Sequence, residues 1–222
     1  MSVLFIAGAG TDIGKTYVTA ALARQLRAGG GAVRVLKPII SGVAALGEPD
    51  FAASDTAVLL RAAGLPVDEA HVDACSPWRF TAPLAPDRAA DAEGRSVRLS
   101  EVVDWCRIRI ARAAPGETVL IEGAGGLMSP VTQDATVLDW LLALDCRVLL
   151  VAGSYLGAVS HALTAIEVIK ARCVKLHGVV VSESVESAGL AETIDALRRF
   201  APTAAISALA RGETALAGVT VP

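Results

Sequence analysis

Aromatic residues make up only 4% of this 222-residue chain, and neither sign of charge dominates, because the formal net charge at pH 7 is -3. A chain with so little excess charge lacks the basic surface that holds nucleic acid or an acidic membrane. Charged residues reach 19% and hydrophobic residues 53%, which excludes an intrinsically disordered chain. We therefore expect a folded protein that binds neither nucleic acid nor a membrane.

The chain also lacks paired cysteines, a secretory leader and a long apolar helix. Its four cysteines, at positions 75, 106, 146 and 173, form no C-x-x-C pair, so we expect buried thiols rather than a zinc site or a disulfide framework. No positively charged segment precedes the first apolar run, which favours a cytoplasmic protein. The uncharged stretch 148–166 carries glycine, serine and histidine at its middle and is typical of strand, loop and helix rather than a membrane span.

Short apolar runs alternate with longer segments of helical character. The pattern predicts strands over 3–7, 32–36, 118–121, 147–151 and 178–181, and helices over 15–28, 55–63, 100–114, 161–171 and 190–200. This alternation favours a doubly wound, mostly parallel α/β sheet with helices on both faces. Residues 64–99, which contain several prolines, are predicted to be irregular. With no linker or repeat, we expect one domain over residues 1–222.

A glycine-rich segment follows the first predicted strand and opens the first predicted helix. Residues 8–16 read GAGTDIGKT, a variant phosphate-binding loop with alanine at position 9 where the strict pattern has glycine. Backbone amides, the helix N-terminus and the Lys15 ammonium would together attract phosphate, and the Thr16 hydroxyl would contact magnesium. The chain is therefore expected to have a fold like that of the P-loop NTPases.

Three further charged residues stand at predicted strand or helix ends. Lys37 is one of only four lysines and closes the second strand, where an ammonium could stabilise charge on a transferred phosphoryl group. A solvated lysine at a strand end is the alternative. Asp55 opens a helix and Glu122 ends a strand before a run of glycines, so both are candidate magnesium ligands. Asp55 is also interpretable as an ordinary acidic residue of a helix N-terminus.

Taken together, these motifs resemble dethiobiotin synthetase. The resemblance rests on the phosphate loop, Lys37-Pro38 with Ser41-Gly42, Ser54-Asp55, residues 122–126 (EGAGG) and residues 156–161 (LGAVSH), in the family's order. It implies a homodimeric ligase that forms the ureido ring of dethiobiotin from 7,8-diaminononanoate, CO2 and ATP with magnesium. Its intermediates would be a carbamate and a carbamic-phosphoric anhydride.

The resemblance also implies site residues. Catalytic roles fall on Lys37, Lys15 and Thr11. Nucleotide binding falls on Asp12, Ile13, Gly14, Lys15, Thr16, Tyr17, Asp55, Glu122, Gly123, Ala124, Gly125 and Ser182, with magnesium held by Thr16, Asp55 and Glu122. The diamine would contact Ser41, Pro83, Leu156, Gly157 and Ser160, the last three from the partner subunit at the start of a helix near Ser160.

Some positions depart from the family pattern. Ser182-Glu183 stands where many members have Asn-Asp and use the asparagine to bind adenine, and residues 201–222 lack the usual Gly-x-x-Pro nucleotide loop. A serine cannot present paired donor and acceptor groups as an asparagine can, so a relaxed preference for the nucleoside triphosphate is a hypothesis. Two other classes stay open: a P-loop partitioning or scaffold ATPase, disfavoured by Gly10 where that class has lysine, and a cobyrinate-type amide ligase.

Overall fold

The first strand occupies the centre of a six-stranded sheet in which all neighbouring strands are parallel. The computed structural model describes residues 2–216, 218–219 and 221. The strands are β1 (Ser2–Gly8), β2 (Val33–Leu36), β5 (Thr118–Glu122), β6 (Arg147–Ala152), β7 (Leu176–Ser182) and β8 (Ile206–Leu209), in the spatial order β2-β5-β1-β6-β7-β8. A separate pair, β3 (Ile39–Ile40) and β4 (Trp78–Arg79), is also parallel.

Helices cover both faces because successive side chains of a strand point to opposite sides of the sheet. Leu4 and Ile6 of β1 pack with α1 (Lys15–Ala28), α2 (Asp55–Ala62) and α3 (Glu69–Cys75). Phe5 and Ala7 pack into the other cluster, which includes residues of α4 (Pro86–Ala92), α5 (Leu99–Ala111), α6 (Val137–Leu144), α7 (Ala158–Ala171) and α8 (Leu190–Phe200). The predicted doubly wound parallel sheet is confirmed.

Several sequence predictions require correction. Residues 64–99 are not irregular, because they contain α3, β4 and α4, and neither α6 nor β8 was predicted. Helix α7 begins at Ala158 rather than at 161, because Gly157 adopts a left-handed φ of 97° and caps it. The expectation of four buried thiols is wrong, since Cys173 is exposed and Cys146 is only partly buried.

The uncharged stretch 148–166 forms the end of β6, a loop and the start of α7, as predicted. Within the described residues, no helix is long and apolar enough to cross a membrane.

Candidate active site

The loop between β1 and α1 is shaped by glycine. Gly14 has a φ of 89°, and a Cβ on Gly8 would lie 2.6 Å from the Gly10 carbonyl oxygen, so neither position readily takes a larger residue. The Ala9 amide donates to Val151 O at 2.8 Å, which joins the loop to the end of β6. Gly14 provides no side-chain cap for α1. The first amides of this helix are therefore placed to bind an anion.

Lys15 lies under the same loop and is 7% exposed. Its Nζ donates to the Gly10 carbonyl oxygen at 3.2 Å. Burial, together with repulsion from the Lys37 ammonium, lowers the pKa of Lys15 to about 8. The loop thus encloses a cation whose charge is not fully compensated by the protein.

Lys37 follows β2 and is buried, which contradicts its interpretation as a solvated lysine. Its Nζ lies 2.6 Å from Glu122 Oε1, 3.0 Å from Asp55 Oδ2 and 3.3 Å from the Gly123 carbonyl oxygen. Burial alone would lower the pKa of Lys37, but the charges and hydrogen bonds of Glu122 and Asp55 outweigh it and the pKa is raised. Lys37 is therefore a permanent cation whose three donors are all engaged.

Glu122 and Asp55 reach Lys37 from two different elements. Glu122 ends β5 and is fully buried, whereas Asp55 is the first residue of α2, where Ser54 Oγ caps the helix by accepting from the Ala57 amide at 3.2 Å. Burial opposes ionisation of Asp55, yet the Lys37 charge lowers its pKa. The end of β5 and the start of α2 thus bring both carboxylates to the Lys37 ammonium, and both positions were predicted from the sequence.

Thr16, Asp55 and Glu122 form an oxygen-rich group. Thr16 Oγ1 donates to Glu122 Oε1 at 2.7 Å, while Glu122 Oε2 is buried with no hydrogen-bond partner. An unpartnered buried carboxylate oxygen fits a divalent cation. The described residues contain no cluster of three or more His, Cys, Asp or Glu side chains that could hold a metal. The oxygens of Thr16, Asp55 and Glu122 are hard ligands of the kind that Mg²⁺ prefers.

Two cavities share the loop residues Thr11, Asp12, Ile13 and Gly14. The reacting-end cavity, roughly 360 Å³, is also lined by Lys15, Thr16, Lys37, Ile39, Ile40, Ser41, Asp55, Ala124 and Gly125. The nucleoside-side cavity, roughly 520 Å³, is also lined by Tyr17, Tyr155, Ser182, Glu183, Ser184, Val185, Arg211 and Gly212. Gly123 lines neither cavity, and its amide donates to the Ile6 carbonyl oxygen at 3.0 Å.

Ser41 is carried by the small β3-β4 sheet. Its Oγ donates to the Leu84 carbonyl oxygen at 2.7 Å, and the Gly42 amide donates to Ala82 O at 3.0 Å. A Cβ on Gly42, whose φ is 69°, would lie 3.2 Å from Pro83. The structure therefore brings Ser41 next to residues 82–84, which include Pro83, and the Ser41 hydroxyl already donates a hydrogen bond there.

Ser182 ends β7 next to the phosphate loop and is only 4% exposed. A Cβ on Gly14 would lie 2.3 Å from Ser182 Oγ. The serine side chain thus packs under the loop. Tyr155 and Arg211 also line the nucleoside-side cavity, and neither belongs to a sequence motif that would have indicated it.

Leu156, Gly157 and Ser160 line neither of these two cavities. Leu156 is 91% exposed and Ser160 is the exposed third residue of α7, so the expectation that this helix starts near Ser160 is wrong. Gly157 and Ser160 instead border an open, largely apolar groove along α7 that also includes Val159, Leu163, Thr164, Glu167, Val168 and Ala171.

Solved structures share this architecture. The MinC:MinD cell division complex of Aquifex aeolicus contains a chain that is 12% identical, with a TM-score of 0.56 and coverage of 95% of this chain and 81% of that one. The signal recognition particle receptor FtsY of Elizabethkingia anophelis is 15% identical with a TM-score of 0.56, covering 96% and 60%. At such low identity these likenesses show a shared fold and nothing further.

Sequence relatives are much closer. A family model described as an AAA domain matches residues 2–213. A protein of Methylobacterium nodulans named ATP-dependent dethiobiotin synthetase BioD is 61% identical over 202 residues, or 90% of each chain. A Caulobacter vibrioides protein of the same name is 48% identical over 207 residues, covering 93% of this chain and 91% of that one. The chain therefore belongs to the ATP-dependent dethiobiotin synthetases, the P-loop ligases of biotin biosynthesis that its motifs indicate.

Proposed function

We propose that this ligase forms the ureido ring of dethiobiotin from 7,8-diaminononanoate, CO2 and ATP, with the reacting groups meeting in the reacting-end cavity. The observation that carries the proposal is the position of Lys37. Its ammonium is buried beside the phosphate loop and lines the same cavity as Lys15 and Ser41. A fixed cation there is suited to stabilise negative charge that develops on phosphoryl and carbamate oxygens.

The triphosphate would extend across both cavities. Its phosphates would bind the amides of residues 12–16 and the Lys15 ammonium, and its nucleoside would enter the cavity lined by Tyr17 and Ser182. Ala124 and Gly125 line the reacting-end cavity and would lie near the terminal phosphate. This orientation directs the γ-phosphorus towards Lys37, because Lys37 lines only the first of the two cavities.

Magnesium would be held by Thr16, Asp55 and Glu122 together with phosphate oxygens. When bound, the ion would neutralise phosphate charge and polarise the γ-phosphoryl group. The two carboxylates now share Lys37. Metal binding to them would free ammonium donors of Lys37 for the substrate.

The reaction needs positioning more than covalent help from the protein. One substrate amine adds to CO2 and releases a proton, giving a carbamate that Thr11 would orient, together with Ser41 once its hydroxyl exchanges the bond to the Leu84 carbonyl oxygen for the substrate. A carbamate oxygen attacks the γ-phosphorus as the bond to ADP breaks, giving a carbamic-phosphoric anhydride. The second amine then attacks the carbamate carbon, phosphate leaves with the bridging oxygen, and the ring nitrogen loses its proton.

The far end of the diamine is a carboxylate, and we assign it to a second copy of the chain. Helix α7 begins after Gly157, which provides no side-chain cap, so the amides at its start would be available to an anion, together with Leu156, Gly157 and Ser160. Because these residues lie outside both cavities, they would act on the partner's site in a homodimer that buries the apolar groove of α7.

The preference for the base is proposed to be relaxed. Ser182 packs under the phosphate loop, and Ser184 Oγ already accepts from the Ser154 amide at 3.0 Å. Both serines line the nucleoside-side cavity, but a single hydroxyl does not present the paired donor and acceptor groups with which an asparagine binds a base edge.

Incubation with the diamine, bicarbonate, Mg²⁺ and ATP tests the function directly. We expect one orthophosphate per ureido product, and no release when the diamine is omitted. Phosphate release that ignores the diamine would instead support an ATPase switch. Lys15→Ala is the control for chemistry at the phosphate loop.

A further inference from the structure

The segment after β8 is tied to the helix that carries the phosphate loop. The Tyr17 hydroxyl, in the first turn of α1, donates to the Glu213 carbonyl oxygen and lies 3.4 Å from the Ala210 carbonyl oxygen. Tyr17 therefore contacts both ends of residues 210–213, which we call the cover loop. Arg211 and Gly212, at the middle of this loop, line the nucleoside-side cavity together with the Tyr17 ring.

The cover loop is a short turn in which the Glu213 amide donates to the Ala210 carbonyl oxygen at 3.2 Å. Glu213 Oε2 accepts from the Ala210 amide at 2.9 Å within the loop, and Glu183 Oε2 accepts from the Arg211 amide at 2.9 Å across the cavity. Residues 211–213 are exposed and lie outside helix and strand. A short exposed loop of this kind depends on a few hydrogen bonds for its position.

The next stretch is anchored to α1 separately. Gln25 Oε1 accepts from the Leu216 amide and Gln25 Nε2 donates to the Val219 carbonyl oxygen, both at 3.0 Å. Leu216 and Val219 are also buried. Tyr17 thus acts on the part of the segment that borders the cavity, and Gln25 on the part beyond it.

We propose that Tyr17 is a positioning residue whose hydroxyl holds the cover loop over the nucleoside of the bound triphosphate, in the absence of the family's Gly-x-x-Pro sequence. The inference rests on the proposed function, because it requires the nucleoside to enter the cavity that Arg211 and Gly212 line. Tyr17 would then couple phosphate binding to nucleoside binding. The first turn of α1, which would contact the phosphates, would also hold the cover loop over the nucleoside.

Tyr17→Phe tests this with the ring retained and the hydroxyl removed. A net hydrogen-bond contribution of ordinary size corresponds to about a three- to tenfold weaker binding of ATP. We expect that increase in Kd and KM for ATP with an unchanged kcat, since no reacting atom contacts Tyr17. Gln25→Ala is the matched control and should leave the Kd for ATP within about twofold.

Trypsin cleavage separates this role from a direct contact between Tyr17 and the nucleotide, because loss of such a contact would not change cleavage of the nucleotide-free protein. Arg211 is exposed, so cleavage after it, followed by mass as loss of residues 212–222, reports the mobility of the cover loop. In nucleotide-free protein, Tyr17→Phe should be cleaved there several-fold faster than wild type. Unchanged cleavage after Arg211, or faster cleavage with wild-type affinity for ATP, would overturn the inference. A wild-type protein that binds no ATP would refute the proposed function instead.

Discussion

Lys37 and Glu122, 85 residues apart in sequence, form a buried ion pair with 2.6 Å between Nζ and Oε1. The pair joins the end of β2 to the end of the neighbouring β5, at the edge of the sheet where the phosphate loop also begins. Removing the cation from a buried ion pair leaves the carboxylate with an uncompensated charge. Lys37 therefore serves the fold as well as the proposed chemistry, and substitutions of it have two separable effects.

Lys37→Gln should lower turnover well over tenfold while ATP still binds. The amide keeps hydrogen-bonding capacity but removes the positive charge that offsets charge on the carbamate and the transferred phosphoryl group. Steady-state kinetics and calorimetric ATP binding separate the two quantities. Lys175→Gln, which removes the same charge from an exposed lysine, is the control. Wild-type turnover in Lys37→Gln would remove Lys37 from the catalytic role.

The same variant should be less stable when no metal is present. Without Lys37, the fully buried Glu122 loses its nearest cation, which costs about 3 to 5 kcal/mol for a broken buried pair. Denaturant unfolding in EDTA measures this loss. Addition of Mg²⁺ with ADP should recover part of it, because the ion replaces the missing charge. Equal free energies of unfolding for Lys37→Gln in EDTA and in Mg²⁺ with ADP would contradict the proposed metal site.

Nucleotide affinity should fall as the pH rises through about 8. The pKa of Lys15 is lowered to about 8 by burial and by Lys37, so the charged form that attracts phosphate prevails below that pH and is lost above it. Well above pH 8 the Kd for ATP should rise by about tenfold per pH unit, with uptake of a proton on binding. Titration calorimetry in two buffers measures both. Lys15→Arg stays charged and should remove this dependence.

Several nucleoside triphosphates should support the reaction. Ser182 and Ser184 line the nucleoside-side cavity with single hydroxyls, which do not present the paired donor and acceptor groups of an asparagine to a base edge. Rates of ureido-ring formation with ATP, CTP and GTP should lie within about a hundredfold of each other, because the phosphates supply most of the binding. A preference for ATP above that range would show that another group reads the base.

Leu163→Glu should separate subunits and stop the reaction with the diamine. Leu163 borders the apolar groove of α7, and a carboxylate there would disfavour its burial in a dimer. Light scattering gives the mass, and ATP binding should persist because the phosphate loop is untouched. Ile108→Glu places the same charge on an exposed apolar residue of α5 and should leave the dimer intact. A monomeric wild type would contradict the assigned interface.

The parts of the site that follow from local pattern were predictable. Helix α1 has its predicted bounds, and Lys37 and Glu122 were placed correctly because parallel strands end at one edge of the sheet. Helix α6, by contrast, reads VLDWLLAL, a short and almost wholly apolar run that periodicity alone does not distinguish from a buried strand, although Thr136 and Asp139 form a capping box that could have indicated it. The prediction of one domain over residues 1–222 stays a prediction.

Contacts between distant segments were not predictable. The bond from Ser41 to Leu84 spans 43 residues, and the bonds from Tyr17 to the cover loop span more than 190. The family resemblance implies a helix start near Ser160, whereas Gly157 takes the N-cap position with a left-handed backbone. Such outcomes depend on tertiary packing, which no short motif encodes.

Isotope transfer tests most directly the claim that a carbamate oxygen attacks the γ-phosphorus next to Lys37. With fresh ¹⁸O-labelled bicarbonate, the diamine and ATP, the account predicts phosphate that carries one labelled oxygen per ureido product, because the bridging oxygen leaves with phosphorus. Phosphate released without label, at the same rate as the product, would contradict it.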